Sequence, residues 1–350
     1  MNVLVLLSCV GTYGGIEAFA LALAEYLATV DGIDVRLCLK KTKTHAMTAD
    51  FERVLKASGL QYRLVSRLSP ALALEIRQAD IVHAQNAPPD VALLCRVLGK
   101  PLVLTIHNWH RRQPRLRASI GRRVAQSAQA RLYNSKFVQE TWEPQPLPGS
   151  QCVPTVSRLP QGSLPPEARH GFVFISRWVP NKGLEVLVEA YLRAKIDHRQ
   201  WPLTLVGDGP LRARVEALLA DAGALAAHVR MTGFIADDEK HQLLRQSRWL
   251  VAPAHTREDL GLTPIEARSV GVPSIVTRDG GLPEAGGPAA ILVEPASVAE
   301  LQAALEHAAA MSEADYAARA RQAQASLETF LRPMCFYPDL YATLVAKTSD

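Results

Sequence analysis

Two glutamates eight residues apart bracket the run Glu258-Asp-Leu-Gly-Leu-Thr-Pro-Ile-Glu266. A glycine and a helix start lie between them. Backbone N–H groups at a helix start, here Leu260, Gly261, Leu262 and Thr263, attract anions because the helix dipole favours negative charge there. Carboxylates on either side can accept hydrogen bonds from hydroxyls. The stretch has the chemistry to hold a sugar-phosphate from several sides. Glu266 also has a structural reading, because Thr263 as N-cap and Pro264 as first helical residue make it the last member of a T-x-x-E capping box. Glu258 has no such second reading.

Other candidates follow apolar runs. In Ser176-Arg-Trp-Val-Pro-Asn-Lys-Gly183, Arg177 and Lys182 can hold a diphosphate and stabilise its charge as it leaves, or can be exposed loop cations. Leu205-Val-Gly-Asp-Gly-Pro210 is a tight turn in which Gly207 lets a ligand approach bare backbone. Gly14-Gly15 opens a helix, as a ligand loop or as a bare turn, and lacks the G-x-G-x-x-G of a nicotinamide dehydrogenase. His107 ends an apolar run, where it can bond a sugar hydroxyl or assist proton movement; His83 ranks below it. No metal-ligand spacing is evident, so no catalytic metal and no cofactor are expected.

The elements that must position these residues alternate. Strand-like runs at Val3–Leu7, Val35–Leu39, Ile81–His83, Leu102–Ile106 and Arg131–Tyr133 make one Rossmann-like half. Six more, from Phe172–Ser176 to Ala290–Val293, make a second, with helices between. The proline-rich, aperiodic segment from Pro144 to Pro166 reads as an interdomain connection. The expected fold is α/β, with parallel sheets and ligands at the carboxyl ends of the strands. The expected domains are 1–160, with 335–350 packing back on it, and 161–334.

Composition limits the classes. The 350 residues are 48% hydrophobic and 21% charged, with no run of eighteen apolar residues, so a spanning helix is not expected. The start, Met-Asn-Val-Leu-Val-Leu-Leu-Ser, lacks a basic n-region and reads as a first strand. Five scattered cysteines without C-x-x-C suit a reducing cytosol. The net charge of +5 is concentrated: Arg111, Arg112, Arg115, Arg117, Arg122 and Arg123 crowd thirteen positions without an acid. The run suits an anionic lipid surface or a lipid-linked phosphate, or is a solvated helix face. Nucleic acid is disfavoured, because no aromatics interleave the arginines.

Together these motifs resemble the family-4 retaining glycosyltransferases of GT-B fold over nearly the whole chain. The resemblance is carried by Gly14-Gly15, Thr105-Ile-His107, Asn134-Ser135, Arg177 with Lys182 (Ser176 replacing the usual glycine), Leu205–Pro210, Glu258 with Glu266, and Gly280-Gly-Leu-Pro-Glu284. It implies two Rossmann-like domains facing across a cleft and a C-terminal helix crossing back to the first. It implies metal-independent transfer of a sugar from a nucleotide diphosphate donor, with retained configuration, to a glycan or lipid-linked acceptor. Arg177 and Lys182 would bind the diphosphate, Glu266 the ribose, and Glu258 with the amides near Gly261 the sugar and phosphate. Leu260 replaces the family's usual aromatic, and Asp259–Pro264 is similar to branches using GDP-mannose-type donors, UDP-sugars being the other expectation. The setting implied is bacterial cell-surface polysaccharide, lipopolysaccharide or glycolipid synthesis, in the cytoplasm or on the inner face of its membrane. A sugar-nucleotide 2-epimerase of the same architecture, or a silent nucleotide-sugar-binding homologue, is the alternative.

Overall fold

The computed structural model describes residues 1–9, 11, 13–41, 47–110, 115–156 and 158–349. The chain divides into two units, Met1–Arg158 with Arg332–Asp350, and Leu159–Leu331. Unit 1 contains β1 (Asn2–Cys9), α1 (Gly15–Leu27), β2 (Asp34–Lys41), α2 (Ala49–Ala57), β3 (Tyr62–Val65), α3 (Pro70–Gln78), β4 (Ile81–Gln85), α4 (Pro89–Val97), β5 (Leu102–Ile106), α5 (Arg115–Gln126), β6 (Ala130–Tyr133), α6 (Lys136–Trp142) and β7 (Ser150–Cys152). Unit 2 contains β8 (His170–Ile175), α7 (Leu184–Arg193), β9 (Leu203–Val206), α8 (Arg212–Asp221), β10 (Val229–Gly233), α9 (Asp237–Gln246), β11 (Ser247–Ala252), α10 (Leu262–Ser269), β12 (Ser274–Thr277), α11 (Leu282–Gly286), β13 (Ile291–Val293), α12 (Val298–Ala309) and α13 (Glu313–Phe330). The last helix, α14 (Phe336–Ser349), belongs to unit 1.

Both sheets are parallel, in the orders β3-β2-β1-β4-β5-β6-β7 and β10-β9-β8-β11-β12-β13. Each order reverses once, between β1 and β4 and between β8 and β11. In an open parallel sheet the crevice at that reversal, outside the strand carboxyl ends, is where ligands bind.

Strand β1 is apolar on both faces because both are covered. Val3, Val5 and Leu7 pack with α1 and α14, whereas Leu4 and Leu6 pack with α3 and α4. Fully buried Tyr341 ties α14 to that first core: its hydroxyl lies 2.6 Å from His83 Nδ1, and His83 Nε2 lies 2.7 Å from Thr105 Oγ1. A polar line thus runs from α14 through β4 to β5.

Two elements differ from the sequence expectation. Part of the proline-rich segment, Ser150–Cys152, is not a connection but the edge strand β7, pairing with Arg131–Tyr133. It follows the left-handed turn at Gly149 (φ 79°), whose Cα lies against the Gln129 carbonyl. At the other edge, β3 escapes an apolar-run search because Arg63 and Leu64 face solvent.

Candidate active site in unit 2 and polar cluster in unit 1

The loops after β8, β9, β11 and β12 meet at one edge of unit 2. After β8, Arg177 is exposed, with no ion-pair partner among the described residues. A single 3-10 turn, Pro180–Lys182, then ends at left-handed Gly183 (φ 71°). A side chain at Gly183 would overlap the Pro253 carbonyl, and Asn181 accepts a hydrogen bond from the His255 amide at 3.1 Å. The turn is therefore docked on the loop after β11. This brings Lys182 Nζ to 2.5 Å from Glu258 Oε2, across the β8–β11 reversal. Both side chains keep some exposure, 17% and 24%.

Gly207 (φ 119°) and Gly209 (φ 157°) sit where no side chain fits. The backbone pressed against them is the chain's own, the Ser176 and Trp178 carbonyls, so the turn after β9 braces the segment carrying Arg177. Gly280 (φ 55°) and Gly281 brace the second half of the site. Neither has room for a side chain against the Glu258–Leu260 backbone, Gly281 donates to the Glu258 carbonyl at 2.8 Å, and Asp279 accepts from the Glu258 amide at 3.0 Å.

The capping box is not formed. Helix α10 begins two residues earlier than expected, at Leu262, with left-handed Gly261 (φ 96°) at the N-cap and no side-chain cap. Thr263 is inside the first turn and donates to the Ile175 carbonyl at 3.4 Å. Pro264, third in the helix, removes one of the N–H donors of that turn. Leu260 is buried beneath the turn. Glu266 faces Lys240 of α9, Oε1 lying 3.1 Å from Nζ, and Asp237 contacts the same amine at 3.1 Å. Burial acts to lower the Lys240 pKa, but the two carboxylates outweigh it and the net direction is up. Freed of capping, Glu266→Gln should leave melting nearly unchanged, within about 1 kcal/mol for a partly exposed pair. Melting curves of the variant and the wild type side by side check this.

Lys240 and Asp279 were not foreseen. Each meets its glutamate from another element, and no short-range spacing marks either.

In unit 1, Gly14 is the extended N-cap of α1 and Gly15 its first residue. The Glu17 carboxylate folds back beside Gly14, and burial raises its pKa against the lowering effect of backbone N–H groups. His107 is 5% exposed, with Nε2 at 2.8 Å from Gln85 Oε1 and Nδ1 at 3.3 Å from Thr155 Oγ1. Oε1 only accepts, so Nε2 carries the proton and Nδ1 accepts from the threonine. Both nitrogens are committed inside unit 1 rather than turned outward.

Burial lowers His107 and His83 to about 3. Between that value and the unfolded value near 6.5, only the unfolded chain binds these protons, so stability is lost as pH falls, at most about 1.4 kcal/mol per pH unit per histidine. The urea midpoint of unit 1 should drop between pH 7 and pH 5, and His107→Gln should flatten the slope.

Of the arginine run, Arg111 and Arg112 lie outside the described residues. Arg115 and Arg117 fall in the first turn of α5, and Arg122 and Arg123 are exposed further along it. Among the described residues no helix is long and apolar enough to cross a membrane.

Two Rossmann-like units, each built on a parallel sheet, are the elements of the GT-B fold. Structures of that fold cover this chain nearly end to end: Anabaena HepE in complex with UDP (TM-score 0.81, 18% identity, 99% of this chain and 100% of that one) and sucrose-phosphate synthase from Thermosynechococcus elongatus (0.70, 17%, 99% and 100%). Two family models tile most of the sequence, Glycosyltransferase Family 4 over residues 13–153 and Glycosyl transferases group 1 over 157–325, and the chain belongs to this glycosyltransferase family. Among curated relatives, a 2-deoxystreptamine glucosyltransferase of Streptomyces kanamyceticus is 30% identical over 206 residues, 57% of this chain and 53% of the relative. A phosphatidyl-myo-inositol mannosyltransferase of Mycobacterium leprae is 26% identical over 293 residues, 75% of each chain. The match thus spans about half the length of the first relative.

Proposed function

We propose that this chain transfers a sugar from a nucleotide diphosphate sugar to a hydroxyl acceptor with retained anomeric configuration. One observation carries the reading: Lys182 and Glu258 pair at 2.5 Å across the strand reversal of unit 2, with Arg177 on the loop after β8 and Glu266 on α10 after β11. Arg177 and Lys182 hold the diphosphate, Glu266 takes the ribose hydroxyls, and Glu258 with the first-turn amides of α10 holds the sugar and its phosphate. Lys182 is paired with Glu258, so a diphosphate must share that cation.

No protein nucleophile is invoked. The bond from the anomeric carbon to the departing phosphate oxygen breaks, and the acceptor oxygen bonds on the same face. The acceptor proton passes to the departing phosphate. The side chains contribute positioning and charge stabilisation, without a metal. Thermal-shift screening against UDP-, GDP-, ADP- and dTDP-sugars tests the donor, since a native-state ligand raises the melting temperature with its affinity. A rise with none of them sinks the reading, and recovery of the donor with altered sugar stereochemistry would favour an epimerase.

The acceptor reading is a glycan or sugar on an anionic membrane lipid, reached from the cytoplasmic face. Basic α5 and the likeness to a phosphatidyl-myo-inositol mannosyltransferase support it. Co-sedimentation with phosphatidylglycerol vesicles should fall at least tenfold when all six arginines become alanine. Undiminished binding contradicts it.

A further inference from the structure

We propose that Arg268 is a positioning residue for transfer: it fixes the short helix α11, and through α11 the loop that carries Glu258. The kinetic consequence rests on the transfer reading, whereas the structural consequence stands apart from it.

Arg268 stands in the last turn of α10, two residues after Glu266. It is 1% exposed, and arginines are almost never so buried unless paired with a carboxylate. The hydrogen bonds of this one run to neutral oxygens. Nη1 donates to the Glu284 and Ala285 carbonyls at 3.2 and 3.0 Å, and Nη2 donates to Ser326 Oγ at 3.0 Å. Nε points to the Ala323 carbonyl at 3.5 Å, and Cζ lies 4.9 Å from the centre of the Phe330 ring, a cation–π contact. One side chain therefore joins α10 to α11 and α13. Burial pulls its pKa down to about 10, which leaves it charged at neutral pH.

Helix α11 needs such a partner. It has five residues, and the last carbonyls of any helix have no partner within it. Arg268 supplies donors to two of them. Gly287 (φ 68°) makes the room, because a side chain there would come within 2.7 Å of Arg268 Cζ. The other end of α11 holds the site. Its N-cap, Gly281, donates to the Glu258 carbonyl at 2.8 Å, and Leu282 and Ala285 lie against Gly261, the N-cap of α10. Glu258 and the amides after Gly261 are the groups assigned to the sugar and its phosphate. Arg268 acts on both through α11. An apolar side chain of similar length fills its space but leaves the two carbonyls unpaired, which frees α11 to shift.

Arg268→Met tests this, with Arg248→Met as the control. Arg248 is also buried in unit 2, at 6% exposure, but its guanidinium serves Glu313, Tyr316 and Trp201, none of them in α11. Two readouts are taken on the full chain. One is hydrogen exchange of the Gly281 amide in the ligand-free protein. The other is steady-state transfer from UDP-glucose and GDP-mannose at a temperature where circular dichroism shows both variants folded. Arg268→Met should speed Gly281 exchange by about tenfold or more, as local opening becomes easier. It should lower kcat by about tenfold or more and change the donor KM by less than about threefold, because Arg177, Lys182 and Glu266 still hold the nucleotide. Arg248→Met should change neither. If Arg268→Met does not fold, Arg268→Lys, which keeps the charge without the planar fork, carries the same expectation at about threefold. Exchange and kcat that match wild type, or that change as much in Arg248→Met, overturn the proposal. Faster Gly281 exchange in a chain whose wild type transfers no sugar supports the bracing of the loop and sinks the transfer reading.

Discussion

Lys182→Ala should lower kcat for sugar transfer by about 10²–10³ while leaving the fold nearly unchanged. The magnitude follows from removing one preorganised positive group from a developing phosphate charge. The small stability cost follows from exposure. Lys182 and Glu258 are still partly solvated, and such pairs contribute about 0–1 kcal/mol. Lys182→Arg should rescue little, because the docked turn Pro180–Lys182 presents a point charge and a planar fork has a different reach. Steady-state kinetics beside a urea titration separates the two effects. A loss of kcat that tracks loss of folded protein would mean that Lys182 is structural. Near-normal turnover would remove it from the site.

The second large effect is expected at Gly281, a residue without functional groups. Gly281→Val places branched carbons where the Asp259 carbonyl and Leu260 backbone already lie. The Glu258–Leu260 segment must shift, and a displacement near 1 Å at a reacting centre costs about 10²-fold. The overlap adds about 1–3 kcal/mol of destabilisation. Gly280→Ala should behave alike, with the further strain of its left-handed φ of 55°. Gly59→Ala is the control: it has φ 66° and nothing within 4 Å of its added carbon, so it carries conformational strain alone. Activity and melting temperature together read the result. Gly281→Val turning over like Gly59→Ala would show that the loop tolerates displacement and that bracing of Glu258 is irrelevant.

Much of the architecture was legible because parallel strands buried on both faces must be apolar runs. Leu102–Ile106 and Leu203–Val206 have the bounds that the pattern indicates. Edge strands escape that rule. Tyr62–Val65 keeps an exposed Arg63, and Ser150–Cys152 sits among prolines, so neither carries the signal of a central strand.

Arg177, Lys182, Glu258 and Glu266 stand out in the sequence as candidates because each belongs to a short motif that follows a strand. What they touch does not. Thr263-Pro264 is a good local helix start, yet α10 begins earlier because Gly261 adopts a left-handed turn packed against Leu282 and Ala285, contacts set by a distant helix. Lys240 is one charge in an acidic-start helix until the fold lays α9 beside α10. His107 sits at the strand end as expected, but its commitment to Gln85 and Thr155 depends on a strand and a loop far away in sequence.

The most direct test of the account follows the anomeric centre during turnover. Full-length chain is incubated with 13C-labelled UDP-glucose or GDP-mannose and the acceptor that supports transfer. The one-bond carbon–hydrogen coupling at the labelled anomeric carbon of the glycoside product is then read. The account predicts an α-configured product together with free nucleoside diphosphate, both abolished by Lys182→Ala. A β-configured product, or a labelled donor unchanged while its nucleotide binds, would contradict it.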